Sequence, residues 1–380
     1  MTVNLRSVAD EPPAPGPSLD ELSATGALYR VLSEDGTGLV APAPPMPDAD
    51  VVAMLDEMVK ARAASDRLFA LQRQGRGGTH APIHGQEAVV VGTVAALDPA
   101  WDWVLPQYRE PVALGRYGPE IFERFCLYQR GHPEGGHIPA PIRVFPVQIS
   151  LAAQIPHAVG LAWAMRLKGD PGVACVFFGD GASSEGDFYE AANFAGVLEA
   201  PVLFCCVNNA WAISTPLAKQ TAADSFAAKA AAFGIPGVRV DGNDALAVSG
   251  VTAAARARAL RGDGPTLIET VTYRMGPHTT ADDPKRYVPA EERAAWERLD
   301  PNRRLRTHLE GRGLWDDARQ SASEAAAATT IDAAWDKAEA ATVAPDAFFD
   351  HVYATPTPRM EAQRAELHRR LAGGNPEGED

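Results

Sequence analysis

The stretch from Val173 to Pro216, VACVFFGDGASSEGDFYEAANFAGVLEAPVLFCCVNNAWAISTP, constrains the fold more than any other part of the chain. Val173 to Phe178 is an apolar run with β-branched and aromatic residues, the pattern of a strand buried on both faces of a parallel sheet. It stops at Gly179-Asp180-Gly181, where two glycines around one carboxylate predict a sharp bend and close approach to a ligand. From about Glu185 to Leu198, Phe188, Ala191, Ala192, Ala195 and Leu198 recur at helical spacing. Pro201 opens a second apolar run, Val202 to Val207, which ends at Asn208-Asn209. The pattern predicts a βαβ unit with Asp180 and Asn209 at the carboxyl ends of its strands, where open α/β sheets bind ligands.

An aspartate and an asparagine converging with a main-chain carbonyl offer hard oxygen donors. Such a set suits Mg²⁺ or Ca²⁺ carried with a diphosphate far better than Zn²⁺. The bland alternative is an ordinary turn at Gly179-Asp180-Gly181, with the asparagines capping the following helix. The string NNAWAIS at the end of the next strand weighs against it.

Alternation continues beyond this unit. Thr221 to Phe233 predicts a helix, Ile235 to Val240 a short strand, Ala245 to Arg261 an alanine-rich helix and Pro265 to Tyr273 a further strand. The expected fold class is α/β, a doubly wound parallel sheet. Upstream, Pro47 to Arg73 predicts a long helix with Val51, Leu55, Met58, Val59 and Phe69 on its apolar face, and Ala88 to Leu97 a very apolar one. Ala27 to Val40 suits a short hairpin around Glu34-Asp35-Gly36. Polar helices are expected over Glu291–Glu310, Glu324–Ala341 and Pro358–Leu371. The expected divisions are an N-terminal arm over 1–46, partly disordered, an α/β domain over 47–350, and a C-terminal helix with a disordered tail over 351–380.

Further polar stretches carry candidate chemistry. Gln107-Tyr108-Arg109-Glu110 follows an apolar segment; the plain reading is a surface arginine paired to Glu110. His80 and His84 stand four apart, a metal pair only on a helix, and Pro82 between them argues against one. His132 and His137 sit in a glycine-rich loop with weak claims. Tyr273-Arg274-Met-Gly-Pro-His278-Thr279 begins at a strand end and runs into a polar segment ending Asp282-Asp283, the setting of a catalytic loop.

Composition excludes several classes of partner. A net charge of -14 argues against nucleic acid and acidic membranes. Apolar runs are broken well before 18 residues, and the N-terminus reads as neither a secretory nor a transit peptide. Cys126, Cys175, Cys205 and Cys206 lack CxxC spacing and are expected as buried free thiols in a reducing compartment.

The string GDGASSEGDF…NNAWAISTP resembles the alpha subunit of the thiamine-dependent decarboxylating component of 2-oxo acid dehydrogenase complexes, and the resemblance runs from about Gly26 to Arg370. It implies the thiamine diphosphate-binding fold, the half that holds the diphosphate. Asp180, Asn209 and the Trp211 main-chain carbonyl are then the Mg²⁺ ligands. Gln107, Tyr108, Arg109, Leu151, Gly179, Asp180, Gly181, Ala182, Asn209, Arg274 and His278 are the cofactor-binding residues. The family motif YRxGxH[ST]xxDD is matched at Tyr273, Arg274, Gly276, His278, Thr279, Asp282 and Asp283, making His278 the catalytic residue that assists acyl transfer. Thr279 takes the place of a phosphoserine of mitochondrial relatives. Thr79-His80-Ala81 stand where aromatic pocket residues are usual, before the family's helix start at Gly85-Gln86-Glu87, so a different substrate pocket is expected. Gln148 and Ala153 replace hydroxyl side chains that hold potassium in some relatives.

The resemblance further implies a cytoplasmic bacterial enzyme with a beta subunit in an α₂β₂ heterotetramer, because the activating glutamate of the family comes from that subunit. The third partner is a lipoyl-bearing dihydrolipoamide acyltransferase. The segments GALYRVLSEDG and VTYRMGPHTTADDPKRY resemble the branched-chain type most. The expected activity is therefore a 2-oxoisovalerate dehydrogenase (acyl-transferring), with a pyruvate or acetoin dehydrogenase alpha subunit as the alternative. A nucleotide-binding α/β enzyme would need GxGxxG or GxxxxGK[ST], and neither is present. A non-enzymatic α/β partner protein would be expected to have lost Asp180, Asn209 or His278.

Overall fold

The computed structural model describes residues 18–350 and 352–373. Most of the expected N-terminal arm's disordered part and the end of the tail lie outside them. In chain order the elements are α1 (Leu19–Thr25), β1 (Leu28–Tyr29), α2 (Asp48–Arg73), α3 (Glu87–Ala95), β2 (Trp103–Leu105), α4 (Glu120–Gln129), α5 (Gln154–Lys168), β3 (Ala174–Gly179) and α6 (Gly186–Leu198). Then come β4 (Val202–Asn208), β5 (Trp211–Ala212), β6 (Thr215–Pro216), β7 (Gly237–Asp241), α7 (Ala245–Leu260) and β8 (Thr266–Val271). The chain closes with α8 (Ala290–Glu297), α9 (Pro301–Gly311), α10 (Asp317–Ala340) and α11 (Pro358–Gly373).

The main sheet has the order β1-β7-β8-β4-β3-β2, with every neighbouring pair parallel. Strands β3 and β4 run in register from Ala174↔Val202 to Gly179↔Val207. Because side chains alternate across a strand, Cys175, Phe177, Leu203 and Cys205 face the core shared with α2, α3 and α7. Ala174, Val176, Phe178, Phe204 and Cys206 face α5 and α6. Helices cover both faces, so the doubly wound α/β expectation holds. The four cysteines are buried and free.

Two local expectations change. Only Ala227–Phe233 of the expected helix over 221–233 is helical, and it is a 3₁₀ segment. Residues 27–40 do fold back, through a Leu32↔Leu39 bridge and Val40 N donating to Val31 O at 2.8 Å, but Leu28 and Tyr29 leave the hairpin to join the sheet beside β7. The buried Asp244 holds that junction, accepting from Val31 N and Leu32 N at 2.7 and 2.6 Å. Among the described residues no helix is long and apolar enough to cross a membrane.

Candidate cofactor and metal site

The ends of four adjacent strands, β8, β4, β3 and β2, carry the candidate residues side by side. Asp180 follows β3 and is buried. Burial pushes its carboxyl up to about 6, against donors that include Gln220. Gly181 is required by packing, since a Cβ there would lie 2.7 Å from Ala212 Cβ. Gly179 is extended at φ -78, and a Cβ there would touch only Gln107 Oε1 at 3.8 Å. The two glycines thus give close approach, and neither has a positive φ. Ala182 is turned into the core with Phe188 and Ile155, leaving its main chain for any ligand.

Asn209 ends β4. Its Oδ1 accepts from Trp211 N at 3.3 Å and its Nδ2 donates to Gln86 Oε1 at 3.1 Å. Ala210 and Ile213 adopt left-handed φ of 70° and 55°, strain of the kind concentrated at functional turns. The turn opens a two-strand ribbon, β5 with β6. Arg274, after β8, braces it: Nη1 donates to Trp211 O (3.0 Å), and Nη2 to Ile213 O and Tyr287 Oη (both 2.7 Å).

Arg109 does not pair with Glu110 at the surface. It is buried, with Nη1 donating to Pro82 O and Nη2 to His278 O at 3.0 Å. The Glu110 carboxylate instead caps the turn, accepting from Gln107 N and Arg109 N. Gln107 Oε1 accepts from Gly179 N at 3.1 Å, tying the ends of β2 and β3. The Tyr108 ring stands edge-on to His278, 6.3 Å between centroids.

His278 Nδ1 lies 3.2 Å from Arg109 Nη2. A guanidinium has no lone pair to offer, so Nδ1 accepts and the neutral ring carries its proton on Nε2. Burial, then Arg109 and Arg274, push this histidine down to about 4. Its backbone N–H donates to Asp282, which also accepts from Tyr287 Oη, each at 2.6 Å. The loop after β8 is thereby held shut on the site.

The segment before α5 reaches the same edge through Gln148 N donating to Gln107 O at 3.1 Å. Leu151 is exposed there, beside Ala152 at φ 62°. His80 does not line the site: it is buried, with Nε2 3.0 Å from Ser65 Oγ. His84 pairs with Asp66 at 2.9 Å. Among the described residues no three His, Cys, Asp or Glu side chains form a metal cluster.

The residues present fit a divalent cation carrying a diphosphate. Asp180 and Asn209 supply side-chain oxygens, and the Trp211 carbonyl keeps a second lone pair beside the one Arg274 uses. Three buried donors at this edge, Gln86 Nε2, Gln107 Nε2 and Arg274 Nε, have no partner among the described residues. Buried donors are rarely left so, and anionic oxygens would satisfy them. Surface concavities of about 460 and 390 Å³ lie against α10, away from these strand ends. Sequence reasoning missed Gln220, which sits in no motif, and the part Gln86 plays at Asn209, since the helix start Gly85-Gln86-Glu87 gave no hint of that contact. It also missed Glu269, a lone acid inside an apolar strand whose polarity was the available signal.

Comparison with known proteins adds a family. Residues 55–346 match the family model described as dehydrogenase E1 component. A pyruvate dehydrogenase E1 component subunit alpha of Staphylococcus aureus (strain Mu50) is 44% identical over 305 residues, covering 80% of this chain and 82% of its own length. Its counterpart in Staphylococcus epidermidis (strain ATCC 12228) is 42% identical over 323 residues, covering 84% and 87%. These relatives overturn the expected branched-chain (2-oxoisovalerate) type and the activity attached to it. The physical reason lies in the segments that suggested it. Gly26 to Gly36 docks at the β1 edge of the sheet, and Tyr273 to Asp283 braces the turn after Asn209 and holds the His278 backbone, so the contacts both segments make here are structural ones within the chain.

Proposed function

The chain belongs to the dehydrogenase E1 component family, and from that premise we propose that it is the alpha subunit of a pyruvate dehydrogenase. Thiamine diphosphate and Mg²⁺ are the cofactors typical of the family, and partnership with a beta subunit and a lipoyl-bearing acyltransferase core is typical of it too. When bound, thiamine diphosphate supplies the carbanion that decarboxylates a 2-oxo acid, and Mg²⁺ neutralises its diphosphate.

The chain's own residues do the rest. Asp180, Asn209 and the Trp211 carbonyl hold the cation. Tyr108, Arg109, Gln107 and Arg274 bind the diphosphate, with Gly179 and Gly181 keeping the floor free of side chains, Ala182 offering main chain and Leu151 lining the ring end. His278, neutral with its proton on Nε2, donates to an anionic group at that atom or returns a proton to the acyl acceptor. Residues 47–350 form the cofactor-binding domain in this reading, with 1–46 as an arm docked through β1 and 351–380 as a C-terminal extension. The assembly is α₂β₂, working in the bacterial cytoplasm.

The observation that carries the reading is the alignment of Asp180, Asn209, Arg109 and His278 across adjacent strand ends, in a chain 44% identical to a pyruvate dehydrogenase subunit. The test is co-expression with the beta subunit and decarboxylation assays on pyruvate and 2-oxoisovalerate, with both cofactors. Pyruvate is expected to be preferred, with at least about 10²-fold loss in Asp180→Ala. Activity of the purified chain alone would overturn the two-subunit reading, and preference for 2-oxoisovalerate the substrate.

A further inference from the structure

We infer that Gln220 is a positioning residue of the cation site, whose side-chain amide couples the Asp180 carboxylate to the ribbon that carries Trp211. The inference rests on the reading of Asp180 as a cation ligand and deepens it. Gln220 closes the single 3₁₀ turn Leu217–Lys219, and the start of that turn is fixed by Leu217 N donating to Ala210 O at 3.0 Å. From there Gln220 Nε2 donates both to Asp180 Oδ2 at 2.6 Å and to Thr215 O at 3.1 Å. Thr215 pairs with Ala212 in the ribbon, next to Trp211. One amide therefore joins the acid after β3 to the turn after β4, the two parts that converge on the ion.

The ion is served in two ways. Holding Oδ2 fixes the rotation of the carboxylate plane, as outer partners do for metal-ligating groups. The other end of the amide, Oε1, is buried with no partner among the described residues. Mg²⁺ gives up its waters reluctantly, and a cation-bound water is the donor such an acceptor takes. Both ends of the amide thus act on the site: Nε2 orients the ligand and Oε1 receives the hydration shell.

The experiment uses the full chain assembled with its beta subunit, with saturating thiamine diphosphate and Mn²⁺ as the probe. Free Mn²⁺ is counted by its electron paramagnetic resonance signal. Gln220→Met keeps the volume and removes both hydrogen-bonding ends; Gln220→Ala removes the side chain. Both are expected to weaken Mn²⁺ binding roughly 10- to 100-fold, with the cation-free melting temperature unchanged and Asp180→Ala weakened further. Wild-type affinity in both Gln220 variants, with Asp180→Ala still weakened, overturns the role of Gln220 and leaves the cation ligand standing. A lower cation-free melting temperature at unchanged affinity also overturns it, because it marks a role in folding alone. Wild-type affinity in Asp180→Ala overturns the site reading on which the inference rests.

Discussion

His80 shows how a polar residue in a telling loop is spent on packing rather than on a ligand. The sequence places it where a substrate pocket is expected, yet its ring is buried against Ser65 and Phe125. Burial, with Arg109 nearby, pushes it down to about 3. The folded value lies below the unfolded one of about 6.5, so the unfolded chain binds the extra proton. The contribution of neutral His80 is complete above about pH 6.5 and is lost as pH falls towards about 3, at no more than about 1.4 kcal/mol per pH unit. His80→Gln removes this sensitivity. Urea midpoints compared between neutral pH and mild acid should fall less in the variant than in the wild type; equal falls would refute the assignment. Position was legible at this scale, since Asp180 and Asn209 directly follow β3 and β4, and Arg109 and His278 lie in the loops after β2 and β8. Direction was not: nothing in QYRE says that Arg109 turns inward to His278 and leaves Glu110 to the backbone.

Strands β3 and β4 were legible because both are fully apolar and each stops at a polar turn. The alanine content of 221–233 suggests a helix, but side chains draw off amides at its start: Ala223 N donates to Thr221 Oγ1, and at the head of the 3₁₀ segment Ala227 N donates to Glu269 and Ala228 N to Ser225 Oγ. Side-chain acceptors of this kind compete with the helical ladder. Strand β1 was illegible for a different reason, since two residues carry no periodicity and their partners in β7 lie some two hundred residues along the chain. Glu269 decides how these elements meet. Buried inside β8, it accepts from Asn208 Nδ2 at 2.7 Å and from Ala227 N at 3.0 Å, with Arg239 at 3.6 Å. Glu269→Leu strands two buried donors and is expected to cost about 2–6 kcal/mol, at about 1–3 kcal/mol for each. Glu269→Gln keeps one acceptor and should lose less. Guanidinium unfolding of both variants checks the order, and equal losses would show that the acid acts through its charge with Arg239 alone.

At the scale of the molecule the apolar surface is unevenly spread. Trp163 and Leu167 on α5, with Phe194 and Val197 on α6, are exposed by 43, 71, 61 and 75%. These helices pack on each other over one face of the sheet. Large apolar side chains exposed together on one pair of packed helices point to an interaction site, whereas α10 presents Arg319, Glu324, Asp332 and Lys337 to solvent. The α5–α6 layer is linked to the strand ends by the segment before α5, where Leu151 is exposed and Gln148 N donates to Gln107 O. A subunit seated on it would complete the site while covering the face, as the proposed α₂β₂ assembly requires. Val197→Asp and Leu167→Asp place one charge each where burial is expected, and a buried unpaired charge is far costlier than an exposed one. The double variant should keep the melting temperature of the separate chain within a few degrees and fall to smaller species in sedimentation velocity of the co-expressed complex. Cofactor affinity should fall with it, because a site completed between subunits opens when they part. An intact heterotetramer carrying both aspartates would place the subunit contacts on another face and leave the α5–α6 surface to a different partner.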